Sequence, residues 1–167
     1  MNNKITPNGS SKEAITKFGA EVAKAFGYQP GGDLSGLVSR IGGKIEVGSP
    51  SEIGEDGSLV SNGDGSFLIY LSPFTNELRD RFTIAHELGH LFLHANAGKK
   101  PLKVARAGRD RPEWEANWFA AGFLMPEAEF RAQVAESHSH AGVAAHFKVS
   151  TQAVRIRKLV LGICDPN

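Results

Sequence analysis

The sequence has a single cysteine, Cys164, so no disulfide can form within the chain. Proteins without disulfides are typical of reducing compartments. The first ten residues lack the apolar stretch of a secretory signal, and no apolar run is long enough to span a membrane. We therefore expect a cytoplasmic protein that does not enter a membrane.

An excess of charge of either sign is also missing. The 167 residues include 19 lysines and arginines and 18 aspartates and glutamates, which leaves a net charge of +1. So small a charge gives no general attraction to nucleic acid or to an anionic membrane, and a basic surface would have to be local. The apolar fraction of 41% is ordinary for a globular protein and is enough to form a core.

The most informative stretch present is His86-Glu87-Leu88-Gly89-His90, which lies within an apolar run. Positions four apart lie on one face of a helix, about 6 Å apart along its axis, so both histidines can bind one divalent metal ion. Glu87 is then placed to act as general base, taking a proton from the attacking water and passing it to the leaving amine. The pattern is the zinc-peptidase signature.

A catalytic zinc ion needs three protein ligands and one open position, so a third ligand must come from elsewhere in the chain. His94 follows His86 by eight residues, which places it about 12 Å further along the helix and too far away to bind the same ion. We expect His94 to be a surface residue at the helix end, with support of a metal ligand as the alternative.

The next predicted helix supplies better candidates for the third ligand. Glu113 and Asn117 are four residues apart and share one face, on which Ala116 and Ala120 allow close approach to the motif helix. We favour Glu113 as the ligand and keep Glu115, which points to another face, as the alternative. Asn117 would orient a ligand.

Two further residues are candidates for contact with a substrate. Arg81 precedes the motif in the same helix, where it could bind a substrate carbonyl or carboxylate. Pairing with nearby acidic residues is the expected default for such an arginine. Tyr70, at the end of the strand before the motif helix, is one of several conceivable stabilisers of the oxyanion.

Alternation and turn residues predict three strands, at residues 44–47, 58–61 and 66–71. The last two surround Asn-Gly-Asp-Gly and should form a hairpin. We expect the strand at 66–71 to be a sheet edge that pairs with an extended peptide. Residues 99–111 are basic and contain glycine and proline, which predicts a loop.

Helical periodicity and punctuation divide the chain into three parts. Residues 1–9 are expected to be a disordered lead-in, and residues 10–126 to form the core that carries the motif. Residues 127–167 are predicted to form a helical subdomain that packs on this core. Its last two helices, at 141–147 and 150–160, are arranged like a helix-turn-helix.

Three blocks of the sequence resemble the ImmA/IrrE metallopeptidases. Residues 81–94 are similar to the core motif of that family. The block 113–126 resembles its second conserved helix, with Glu113, Ala116 and Asn117 in matching positions, and residues 145–162 are similar to its helix-turn-helix-like end. Blocks in the right order are more specific than the five-residue motif alone.

The resemblance implies an α+β, zincin-like metallopeptidase core, in which a small mixed or antiparallel sheet packs on the motif helix, with a helix-turn-helix-like C-terminal tail. It implies His86, His90 and Glu113 as metal ligands and Glu87 as the catalytic base. The metal of the family is usually zinc, with manganese also proposed. Characterised members are regulatory proteases that cleave a helix-turn-helix repressor, so the expected partner is a repressor or an antitoxin-like regulator.

Two other interpretations compete with a peptidase. The first is a DNA-binding transcriptional regulator with a structural or vestigial metal site, in which Arg155, Arg157 and Lys158 would contact phosphates. The near-neutral charge argues against it. The second is a metal-bound module that binds its partner without cutting it. Glu87 favours the enzyme over both, because metal binding alone does not require that carboxylate.

Overall fold

The computed structural model describes residues 4–48, 57–105 and 108–165. Within these ranges, seven helices and four strands follow one another along the chain. In chain order they are α1 (Lys12–Ala25), α2 (Leu34–Arg40), β1 (Gly43–Val47), β2 (Ser58–Asn62), β3 (Phe67–Leu71), α3 (Glu77–His94), β4 (Pro101–Ala105), α4 (Arg111–Leu124), α5 (Glu127–Ser137), α6 (His140–Phe147) and α7 (Thr151–Val160). The mixture confirms the predicted α+β class.

Side-chain caps determine where the two central helices begin. The Asn76 side chain accepts a hydrogen bond from the Arg79 N–H at the start of α3, and Asp110 accepts one from the Glu113 N–H at the start of α4. Such caps satisfy backbone donors that have no partner within the helix. The start of α4 therefore positions Glu113 in its first turn, where the helix dipole favours a carboxylate.

The four strands form one mixed sheet in the order β1-β3-β2-β4. Strand β2 pairs antiparallel with both β3 and β4, whereas β1 pairs parallel with β3. The β2–β3 pair is the predicted hairpin. Alternate residues of β3, namely Phe67, Ile69 and Leu71, are buried in the core, as expected for a strand with one face on the helices.

Two expectations about the sheet were wrong. Strand β3 is not an edge, because β1 lies on its other side, so an extended peptide cannot pair with it. The predicted loop at 99–111 contains strand β4, which pairs with β2. Leu102 and Val104 are buried while the residues between and beside them are exposed. The alternation is only five residues long, and flanking lysines and glycine obscured it.

Helix α4 lies between α3 and α1 because glycines occur where the backbones meet. A Cβ atom on Gly89 of α3 would lie 3.0 Å from the Cα atom and the carbonyl oxygen of Ala116 in α4. On the other side, Gly122 faces the carbonyl oxygen of Thr16 in α1 with no room for a side chain. Close contact on both sides holds α4 firmly against the motif helix.

The C-terminal helices share the core of the rest of the chain. Phe130 and Phe147 are fully buried in the same apolar cluster as Leu88 of α3. The Arg157 guanidinium donates to the carbonyl oxygen of Met125 at 3.0 and 3.1 Å and fastens α7 to the end of α4. No helix within the described ranges is long and apolar enough to cross a membrane.

Candidate metal centre

The helices α3 and α4 bring together the three side chains predicted to bind a metal ion. The Nε2 atom of His86 lies 3.1 Å from Oε2 of Glu113, and Nε2 of His90 lies 3.0 Å from its Oε1. One ligand atom from each residue lies within 4.8 Å of the others, and all three residues are buried. This group can bind a metal ion.

The spacing of these atoms fits a small divalent cation. Two ligands about 2.0–2.1 Å from a tetrahedral zinc ion are about 3.3–3.4 Å apart. The separations of 3.1 Å from His86 and 3.0 Å from His90, each to a different oxygen of Glu113, come within a few tenths of an ångström of that value. Two imidazole nitrogens and one carboxylate oxygen also leave a fourth position open, as a catalytic site requires.

The charge state of Glu113 suits a ligand. Burial by itself raises the pKa of this carboxyl group, but the His86 and His90 side chains beside it outweigh burial and hold the pKa well below its usual range. Glu113 is therefore an anion at neutral pH. Its exposed fraction is 7%, so few water molecules screen its attraction for a cation.

Asn117 orients His86. Its Oδ1 atom lies 2.8 Å from Nδ1 of His86 and accepts a hydrogen bond from it. The other ring nitrogen of the neutral imidazole then carries a lone pair, which points toward the Glu113 carboxylate and makes no hydrogen bond. In this tautomer Nε2 of His86 and the Glu113 carboxylate offer two electron-pair donors to the space between them, which is the arrangement that binds a metal ion.

His94 was wrongly expected at the surface, since it is 7% exposed and buried beside the centre. Its Nδ1 atom lies 3.0 Å from Nδ1 of His90, and its Nε2 atom lies 2.8 Å from Oε2 of Glu115. Burial lowers the pKa of His94 more than the hydrogen bond to Glu115 raises it, which favours the neutral ring. Spacing along one helix could not reveal this contact with α4.

Glu115, the alternative third ligand, makes its hydrogen bonds to groups outside the three-ligand cluster. Its carboxylate accepts hydrogen bonds from the backbone N–H groups of Asn8 at 2.8 Å and Gly9 at 2.9 Å. Nε of Arg111 donates to the same carboxylate at 3.0 Å. Burial raises the pKa of Glu115, but the hydrogen bond from His94 and these three donors together lower it to about 2.

Sequence reasoning missed this role of the N-terminal segment. Asn8 and Gly9 belong to the stretch 1–9 that was expected to be a disordered lead-in, yet both have fixed partners on α4. The contact joins residues 107 positions apart, and no local pattern encodes a pairing at that distance. A polar, glycine-containing segment would read as a loop whether or not it is anchored.

Glu87, the predicted general base, is fully buried next to His86 on α3. The chain passes close to it at Gly57, where an added Cβ atom would lie 3.7 Å from Oε1 of Glu87 and only 2.6 Å from Cγ2 of Thr83. Gly57 also has a φ of 141°, which side chains rarely adopt. Both facts require glycine beside the predicted base.

Arg81 and Tyr70 are not directed at the three ligands. The Arg81 guanidinium donates to the Tyr28 hydroxyl at 2.7 Å, to the Gly32 carbonyl at 2.8 Å and to the Lys148 carbonyl at 3.2 Å. The expected pairing with acidic residues is therefore wrong, and Arg81 joins α3 to two turns of the chain. Tyr70 lies on the opposite face of β3 from the buried residues Ile69 and Leu71.

A groove of about 430 Å³ opens beside Asn117, on the side of the centre nearer the start of α3. Phe82 lies one helical turn before His86 and forms part of its wall, and Trp118 and Ile156 contribute further apolar surface. Lys12 lies at the same groove. The centre is thus flanked by a mostly apolar depression on the protein surface.

Comparisons with known proteins agree with this geometry. The model of the Peptidase_M78 family, described as an IrrE N-terminal-like domain, matches residues 52–158. No curated protein matches the chain. Among solved structures, a Mycobacterium tuberculosis transcriptional regulator is similar with a TM-score of 0.60 and 16% sequence identity, and the match covers 90% of this chain and 47% of that one.

The two findings carry different weight. The likeness to the regulator shows the fold alone, and this chain spans about half the length of that protein. The family match covers well over half of the chain and includes His86, His90, Glu113 and both helices that position them. The chain therefore belongs to the Peptidase_M78 family of IrrE N-terminal-like domains.

Proposed function

We propose that the protein is a metal-dependent endopeptidase that hydrolyses a peptide bond in a protein substrate. The convergence of His86, His90 and Glu113, whose ligand atoms lie within 4.8 Å of one another, carries the proposal. The match to a peptidase family supports it. The intact Glu87 beside His86 supports hydrolysis in particular, because binding a metal ion would not need that carboxylate.

Each residue of the site would have a separate role in hydrolysis. A bound divalent ion supplies a Lewis acid, which lowers the pKa of a water molecule and polarises the scissile carbonyl group. Glu87 takes the proton from the attacking water and delivers it to the leaving nitrogen. Asn117 keeps His86 oriented throughout. The buried setting strengthens each of these electrostatic contributions.

Zinc is the proposed metal, with manganese as the alternative. Two imidazoles and one carboxylate form a set that is common in catalytic zinc sites. Manganese favours more oxygen ligands, so this set fits it less well. Reconstitution of metal-free protein with each ion, followed by a cleavage assay, would separate the two.

The proposed substrate is a transcriptional repressor or an antitoxin-like regulator in the cytoplasm. The resemblance to the ImmA/IrrE metallopeptidases motivates this choice. The similar Mycobacterium tuberculosis structure is described as a transcriptional regulator, which fits a setting in gene control. The exposed free thiol of Cys164 is compatible with a reducing compartment.

A DNA-binding regulator is the second candidate, because α6 and α7 form a helix pair joined by a three-residue turn. The positions of the basic residues of α7 weaken this candidate. Arg157 is buried on the Met125 carbonyl, and the Lys158 ammonium pairs with Asp165. Of the three predicted phosphate contacts, only Arg155 is exposed. Binding to duplex DNA that weakens steeply with salt would revive this candidate.

The variant Glu87→Gln tests the peptidase directly. It should bind as much zinc as the wild-type protein while cleavage of the partner regulator falls by about two to four orders of magnitude. Glu129→Gln, an exposed change on α5, serves as the matched control and should cleave normally. Undiminished cleavage by Glu87→Gln would show that another group moves the proton.

A further inference from the structure

We infer that His94 and Glu115 form a relay that holds His90 in the tautomer and orientation needed to bind a metal ion. The inference deepens the proposed metal centre and rests on it. The relay consists of two hydrogen bonds, a 3.0 Å contact between the Nδ1 atoms of His90 and His94 and a 2.8 Å contact between His94 Nε2 and Glu115 Oε2. All three side chains are buried.

Each contact determines the next one. Metal binding through Nε2 of His90 needs a lone pair there, so the ring hydrogen must be on Nδ1. That N–H points at Nδ1 of His94, which must accept and therefore carries its own hydrogen on Nε2. The second N–H then needs an acceptor, and Glu115 provides it. Reversing either hydrogen bond would leave a hydrogen on the metal-binding nitrogen of His90.

Glu115 cannot reverse its part of the relay because donors surround it. Oε2 accepts from His94 and from the Asn8 N–H, and Oε1 accepts from the Gly9 N–H and from Nε of Arg111. An ionised carboxylate has about four acceptor positions and no hydrogen to give. The four donors therefore fill it and fix the direction of the whole relay.

The two metal-binding histidines are held by different devices. His86 donates to the amide oxygen of Asn117, a neutral acceptor on α4. His90 donates to a second imidazole that ends on a buried carboxylate, which is also on α4. A carboxylate in this position increases the basicity of a histidine ligand more than an amide does. We therefore expect removal of the partner of His90 to weaken metal binding more than removal of the partner of His86.

The first test measures the tautomer of His90 in the metal-free protein by nitrogen-15 NMR of the imidazole rings. We expect the hydrogen of His90 on Nδ1 in the wild-type protein and in the Glu129→Gln control. In His94→Phe, which keeps a ring but offers no acceptor, the hydrogen should move to Nε2, where the Glu113 carboxylate lies 3.0 Å away. A wild-type protein with the hydrogen on Nε2 would overturn the relay, whatever its enzymatic activity.

The second test measures zinc affinity by competition with a chelator. His94→Phe and Glu115→Gln should each bind zinc about 10–100-fold more weakly, the usual effect of removing a partner of a histidine ligand. In Glu115→Gln an NH₂ group, which cannot accept a hydrogen bond, replaces one of the two carboxylate oxygens. Each of those oxygens accepts from two donors, so two donors lose their acceptor in either orientation of the amide. His94→Gln should regain much of the affinity, because its amide oxygen can accept from His90 as that of Asn117 does from His86.

These measurements separate the relay from the proposed activity. Unchanged zinc affinity in both His94→Phe and Glu115→Gln would overturn the relay, and if one of them fails to fold, the other decides. A protein that binds zinc through a supported His90 but cleaves no regulator would contradict the peptidase and leave the relay intact. A relay without zinc binding would contradict the metal centre alone.

Discussion

Gly89 of α3 lies so close to Ala116 of α4 that a methyl group on Gly89 would come within 3.0 Å of the Ala116 Cα atom and carbonyl oxygen. The glycine therefore determines how closely α4 approaches the motif helix. That approach places Glu113, three residues before Ala116, between the two histidines. The glycine inside the motif thus helps to complete the metal centre from a different helix.

Replacing this glycine should damage metal binding as well as stability. Gly89→Ala should push α4 away from α3, at a cost of about 1–3 kcal/mol in the free energy of unfolding. Zinc affinity should fall with it, because Glu113 moves with α4. Gly122→Ala is the matched control, since it disturbs the contact of α4 with α1. Because Gly122 has less room than Gly89, this control should lower the melting temperature more while reducing zinc affinity less.

The partner of His86 offers a second prediction. Asn117→Leu removes the acceptor for Nδ1–H and should weaken zinc binding about 10–100-fold. Asn117→Asp keeps an acceptor oxygen and should retain most of the affinity. The two variants are similar in size, so their comparison in a zinc competition assay isolates the hydrogen bond. Equal affinities would mean that Asn117 does not support His86.

Gly57 leads to a prediction about the predicted base rather than about the metal. A Cβ atom at this position would contact Thr83 and approach the Glu87 carboxylate. Gly57→Ala should therefore lower the rate of cleavage while the zinc content stays at the wild-type level. Gly65→Ala is a useful control, because Gly65 also has a positive φ, of 93°, but an added Cβ atom there would have no neighbour within 4 Å. It should share the backbone strain and keep full activity.

The role of α7 gives a prediction about stability. Arg157→Leu leaves the buried carbonyl of Met125 without its donor, which should cost about 1–3 kcal/mol of unfolding free energy. Arg155→Ala, an exposed change two residues away, should stay within about 0.5 kcal/mol of the wild-type protein. Urea unfolding of both variants would check this. If Arg157→Leu were as stable as the wild-type protein, Arg157 would be available for another role, such as a phosphate contact.

The sequence predicted well whatever depends on local periodicity. The four-residue spacing of His86 and His90 places them on one face of a helix, and the same rule placed Glu113 and Asn117 together on the next helix. The β2–β3 hairpin followed from its turn residues. Each of these features depends only on residues that are close together in the sequence.

Features that depend on distant pairing were not predictable. Strand β1 pairs with β3 across a chain separation that contains all of β2, so the interior position of β3 cannot be read from its own residues. Strand β4 is visible only through its partner β2. The burial of His94 depends on Glu115 from α4, and Glu115 depends in turn on Asn8 and Gly9. Such contacts require the tertiary structure.

The most direct measurement is the zinc stoichiometry and affinity of purified protein that has been stripped of metal and titrated with zinc. Glu113→Gln, which changes one ligand, is compared with the wild-type chain and the Glu129→Gln control. We expect one tightly bound zinc ion per chain in the wild-type protein and the control. Glu113→Gln should lose more affinity than the roughly 10–100-fold typical of a supporting partner. Absence of zinc binding by the wild-type protein, or full affinity in Glu113→Gln, would contradict the proposed centre.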